Sequence, residues 1–163
     1  MTRTLILMRH AKTEQPAAGQ SDFSRELTER GRHDAPLVAE QLAASGARPT
    51  LALISDAVRT RQTWELVRDS FPACPHRSLS TLYLAEAEVI IREAMQCGED
   101  AVIIIGHNPG LHELASVIAE NDTQAGQELH QKFPTSAAAF FERDDPKRAW
   151  KLRSFIRPKD LRG

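Results

Sequence analysis

The sequence is poor in the residues that staple, anchor or polarise a chain. Only two of its 163 residues are cysteines, Cys74 and Cys97. They lie far apart without metal-ligand spacing, so they read as buried, reduced thiols and give no disulfide framework. Lysines and arginines number 21 against 22 aspartates and glutamates, a net charge of −1, so no global attraction draws the chain to nucleic acid or anionic lipid. Apolar runs are short: none approaches membrane-spanning length, and the first is too brief for a secretory signal. Neither export nor membrane insertion is expected, and the cytoplasm is the expected location. The chain also lacks a glycine-rich Walker loop and a Gly-x-Ser-x-Gly elbow, which disfavours nucleotide hydrolysis by that route and serine hydrolase chemistry. Its six histidines have no zinc-motif spacing, and His107 and His112 miss the i, i+4 face of a helix. Neither a metal nor a cofactor is expected.

What is present is an ordinary globular balance, 41% hydrophobic and 26% charged, in a chain long enough for one well-buried core. A single domain over 1–163, most simply a monomer, is expected. Three short apolar runs stand out, and each leads into a cation or an imidazole. Thr4 to Met8 runs into Arg9 and His10. Leu51 to Ile54 leads through Ser55 and Asp56 to Arg59. Ala101 to Ile105 leads into Gly106-His107-Asn108-Pro109-Gly110. Runs with so little alternation suit parallel strands covered on both faces, and ligands of open α/β sheets sit beyond the carboxyl ends of such strands.

Between these runs the pattern is helical. Thr28 can cap a helix with the stripe Ala35, Val38, Ala39, Leu42 and Ala43, closed by Gly46, although Pro36 predicts a kink or a restart. Asp56 is the expected cap of a second helix carrying Trp64, Val67 and Phe71 on one side. Leu79 to Leu84 reads as a weak strand, and Glu86 to Gln96 as a packing helix. Asn108 and Pro109 mark the start of another helix, with Leu111, Leu114, Ala115, Ile118 and Ala119 as its buried stripe. Asn121 to His130 reads as a polar connection. Ser136 to Glu142 and Ala149 to Phe155 read as a closing hairpin turned at Asp144-Asp145-Pro146. Strands alternating with helices give an α/β class with a mainly parallel sheet and an antiparallel edge.

The chemistry that fits is phosphoryl transfer. Such a reaction spreads negative charge over three oxygens, so it needs cations around the group and a nucleophile in line. Arg9, Arg59, His10 and His107 supply those parts. A neutral His10 could attack phosphorus if a backbone carbonyl held its other ring nitrogen. His107 beside a helix N-terminus is disfavoured as a cation until a bound phosphate favours it.

Leu7-Met8-Arg9-His10-Ala11 resembles the Arg-His-Gly/Ala signature of the histidine phosphatase superfamily. In order along the chain, Asp22 to Gly31, Ser55-Asp56-Ala57-Val58-Arg59-Thr60-Arg61-Gln62-Thr63, Gly106 to Gly110, Lys132-Phe133-Pro134-Thr135-Ser136 and Pro158 to Leu161 extend the likeness to the small SixA-type branch of phosphohistidine phosphatases. The resemblance implies a three-layer α/β/α fold of the phosphoglycerate mutase-like kind. It also implies a metal-independent phosphatase in which His10 is nucleophile, Arg9 and Arg59 are phosphate ligands and His107 is the second catalytic histidine. Arg25 would be a further phosphate or substrate contact oriented by Asp22, or the two would form a salt bridge that anchors the loop. Ser55 is a phosphate contact or a helix cap, and Thr135 has no assigned chemistry.

Larger mutase-like relatives carry a general-acid glutamate in an insertion that this chain lacks, and Glu86 is the nearest candidate to replace it. Weak acid catalysis suits imidazole, a better leaving group than an alkoxide. The expected substrate is therefore a phosphorylated histidine on a protein. The alternatives are a small phosphoester metabolite, with Glu86 or Asp22 as acid, and a noncatalytic phosphate-binding module. Arg153, Arg157, Lys159 and Arg162 could guide an acidic partner, but without an aromatic platform they read as a solvated face, and no nucleic acid is expected.

Overall fold

A computed structural model describes residues 2–162. Its central strand β1 (Arg3–Arg9) is buried on both faces, as its continuous apolar run requires. Leu5 and Leu7 face one core while Ile6 and Met8 face the other, the two-residue period of a strand. The remaining strands are β2 (Leu51–Ser55), β3 (His76–Leu79), β4 (Ala101–Gly106), β5 (Ala138–Arg143) and β6 (Lys151–Ile156). All six form one sheet in the order β3-β2-β4-β1-β5-β6. The first four run parallel, and β5 and β6 close the sheet antiparallel to β1.

Helices α1 (Glu29–Ala44) and α2 (Val58–Val67) cover the face of Ile6 and Met8. Helices α3 (Ala87–Gln96), α4 (Gly110–Ile118) and α5 (Gln124–Gln131) cover the face of Leu5 and Leu7. The result is a three-layer α/β/α fold. Because β1, β2 and β4 are parallel, Arg9, Ser55 and Gly106 end at one edge of the sheet. Among the described residues no helix is long and apolar enough to cross a membrane.

Several expectations change in detail. Thr28 does cap α1, accepting from the Gly31 amide. The helix does not restart at Pro36, because the buried stripe of Ala35, Val38, Ala39 and Leu42 holds both sides of the proline on the sheet. The N-cap position of the second helix falls on Ala57, not Asp56, and no side chain caps it. The strand expected over Leu79–Leu84 lies earlier, at His76–Leu79, and a short 3₁₀ turn follows at Ser80–Leu82. That strand is a mostly exposed edge held by backbone pairing to β2, so no apolar pattern betrays it. The polar stretch around Asn121–His130 contains α5, fastened by the Thr123 cap and the buried Leu129. Asn108 does not cap α4, which begins at Gly110 behind Pro109. Both cysteines are free and only half-buried, and burial raises the Cys74 thiol to about 11.

Candidate active site

The registry of the sheet brings the two motif histidines together. Arg9 at the end of β1 pairs with Gly106 at the end of β4, so the next residues, His10 and His107, leave the sheet side by side. Their ring centroids are 5.4 Å apart. Arg59 reaches the same place from the first turn of α2, immediately after β2. All three side chains line a cleft of about 800 Å³ together with Arg9.

His10 is 7% exposed, and its Nδ1–H donates to the Ala11 carbonyl at 2.8 Å. A carbonyl can only accept, so the bond fixes the tautomer and leaves Nε2 with the lone pair. Burial lowers the His10 pKa to about 3, reinforced by His107, Arg9 and Arg59 and only partly opposed by the bond to Ala11. Burial likewise lowers His107 to about 4, with Arg59 the next cause. Both imidazoles are neutral at pH 7. Burial and neighbouring Arg59 also lower the pKa of Arg9. Among the described residues, Nε of Arg9, Nε of Arg59 and Nδ1 of His107 are buried without a hydrogen-bond partner. Donors gathered around a neutral imidazole with a fixed lone pair are suited to an anion that is also an electrophile.

The family model of the histidine phosphatase superfamily (branch 1) matches residues 5–83. A SixA from Agrobacterium tumefaciens, assigned as a phosphohistidine phosphatase, is 30% identical. The match covers 96% of this chain and 98% of that one, with a TM-score of 0.81. The chain belongs to the histidine phosphatase superfamily. A structure of the protein histidine phosphatase SixA complexed with tungstate is 25% identical, with a TM-score of 0.76 and coverage of 98% and 99% of the two chains. An uncharacterized protein of Mycobacterium leprae is 30% identical over 139 residues, 81% of this chain and 84% of the relative.

In this histidine phosphatase the other sequence candidates divide. Asp22 and Arg25 reach the cleft. The Asp22 carboxylate accepts from Tyr83 Oη at 2.6 Å, from Arg25 at 3.0 Å and from Arg59 at 3.0 Å. These donors, Tyr83 first, hold its pKa down at about 2. Ser55 is fully buried and does not line the cleft; its Oγ pairs with Nε2 of His107 at 2.7 Å, so it orients that ring. Glu86 precedes α3 and lines a separate hollow beside Pro109 and Glu113, which does not fit a proton donor at His10.

Other residues around the site were assigned no role in it from sequence. Tyr83 stands edge-on to His107 at 5.6 Å and lies against Arg59; being the single tyrosine of the chain is the one hint it carried. Thr63 accepts from the Ala11 amide and donates to the Arg59 carbonyl, tying the residue after His10 to α2. The Phe133–Ser136 segment acts largely through its backbone. The Phe133 carbonyl accepts from Arg9 and from Asn108, and the Ser136 amide donates to the His10 carbonyl. Ser136 makes that bond with φ +64, a left-handed conformation uncommon outside glycine. Thr135 lines the cleft. Arg157, Lys159 and Arg162 also line it, whereas Arg153 pairs with Glu142 and does not. Among the described residues, no three or more His, Cys, Asp or Glu side chains are grouped to hold a metal ion.

Proposed function

We propose that this histidine phosphatase removes phosphoryl groups from phosphohistidine on a protein, through a phosphorylated His10. The observation that carries the reading is the state of the carboxylates. Among the described residues three carboxylate side chains line the cleft, and each is in an ion pair: Asp22 with Arg25 and Arg59, Asp34 with Arg162, and Glu128 with Arg157. Asp22, the one bonded to Arg59, is held ionised by its three donors. An alkoxide leaving group needs a proton on the oxygen bridging to phosphorus. An imidazole instead leaves as a neutral ring when its distal nitrogen is protonated, and that proton can come from solvent.

In the first step Nε2 of His10 attacks phosphorus in line, the N–P bond of the substrate breaks, and the substrate histidine departs as neutral imidazole. Arg9 and Arg59 neutralise the equatorial oxygens. The arriving phosphoryl group raises the proton affinity of His107, which then becomes a charged donor to it. In the second step water attacks, inorganic phosphate forms, and His10 leaves as a neutral ring because Nδ1 keeps the proton it donates to the Ala11 carbonyl. No metal takes part in this scheme.

The test is release of phosphate from a phosphohistidine peptide, a phosphoserine peptide and sugar phosphates, in excess chelator, with rapid quenching to trap the enzyme. The expected outcome is a kcat/KM at least about 100-fold higher for phosphohistidine, the scale of an absent general acid. An acid-labile, alkali-stable phosphoenzyme should form and be lost in His10→Ala. Equal or faster turnover of sugar phosphates would move the function to a small metabolite.

A further inference from the structure

The cleft is far more basic than the chain. Among the described residues, nine arginines and lysines line it against three side-chain carboxylates, although the net charge of the protein is −1. Arg9, Arg25 and Arg59 belong to the site of the transferred group. Arg157 is engaged by Glu128 at 3.1 Å, and Arg162 and Arg30 by Asp34 at 2.8 Å and 3.8 Å. That leaves Lys12, Lys132 and Lys159, all exposed and without an ion pair among the described residues. They come from three separate places: the loop after β1, the end of α5, and the 3₁₀ turn at Pro158–Asp160.

The form of these charges narrows the partner. A second phosphate on a small substrate is best held by converging arginine forks, but Arg30, Arg157 and Arg162 already have carboxylate partners. Lysines are compact point charges on flexible stems, and three of them dispersed around a cleft match several spaced carboxylates. We infer that Lys12, Lys132 and Lys159 form a docking surface for an acidic protein face surrounding the phosphorylated histidine. The inference rests on the phosphohistidine reading and adds to it the charge of the partner. Its electrostatic field steers the partner into the cleft and weakens as salt screens it.

Two peptides of equal length test this, each with a central phosphohistidine, one flanked by glutamates and one by lysines. At about 20 mM salt the wild type should prefer the glutamate peptide at least about tenfold in kcat/KM, and the preference should collapse towards one at about 0.5 M salt. The triple variant Lys12→Gln, Lys132→Gln, Lys159→Gln should lose the preference at low salt. A variant of equal charge change outside the cleft, Lys147→Gln, Arg148→Gln, Lys151→Gln, should keep it. A preference absent from wild type, or retained by the first triple variant, overturns the docking surface.

If neither phosphopeptide is turned over while p-nitrophenyl phosphate is, the phosphohistidine reading fails separately. The surface is then read from inhibition of p-nitrophenyl phosphate turnover by the unphosphorylated peptides. The glutamate peptide should inhibit at about a tenfold lower concentration, and equal inhibition by the two overturns the inference.

Discussion

His10 pairs a chemical advantage with a thermodynamic burden. Held at about 3 by burial, it offers a neutral ring across the physiological range, and His107 at about 4 does the same. In the unfolded chain both titrate near 6.5. Between those values the unfolded state binds protons that the folded state refuses, so stability is full above about pH 6.5 and is lost as the pH falls towards 4. The unfolding temperature should drop by roughly 5–15 °C between pH 7 and pH 5. His10→Asn or His107→Asn should each flatten that slope by about half, which calorimetry across the pH range would read. An undiminished slope in both variants would assign the acid sensitivity to other groups.

At the scale of the element, the approach of α1 to the loop after His10 depends on one missing side chain. A Cβ on Gly31 would overlap the carbonyl oxygen of Lys12, whose backbone also accepts from the amide and hydroxyl of Thr28. Gly31→Ala should therefore destabilise by about 1–3 kcal/mol, the usual scale of overpacking. It should also lower kcat/KM by displacing the segment that contains Ala11 and Lys12. Thermal unfolding and steady-state kinetics would separate the two effects, and a variant unchanged in both would remove the proposed constraint.

The sequence announced those elements whose burial is written locally. β1, β2 and β4 are continuous apolar runs, and Arg9, His10 and His107 follow such runs directly, with Arg59 four residues beyond β2, so sheet and core site were legible together. β3 was not, because its pairing with β2 is made by backbone while its side chains face solvent. Tyr83 and the Phe133 carbonyl were not, because their partners lie 61 residues away at Asp22 and 124 residues away at Arg9. Only the folded topology brings them together.

Across the whole molecule, the C-terminal segment is secured to α1 through Arg162 and the buried Asp34, which is 5% exposed. The other side chains near Asp34 are more distant, the Arg30 guanidinium at 3.8 Å and the His33 ring at 3.6 Å. Arg162→Leu should destabilise by about 1–3 kcal/mol, because it strands a desolvated carboxylate. The double replacement Asp34→Leu with Arg162→Leu should recover most of that loss. Urea unfolding of the two single variants and the double would measure the coupling, and additive effects would show that the pair does not act as a unit.

β1 also imposes an order of events on the newborn protein. Thr4 pairs with Ala101 on one side and with Glu142 on the other, so the strand that ends in His10 is translated first and receives its neighbours late. A nascent chain halted before β4 holds the Arg9-His10 dipeptide without the second histidine, the clamp from Phe133 or either flanking strand. A truncated translation product of that kind lacks the assembled cleft, which is complete only after the ribosome has released nearly the entire fold.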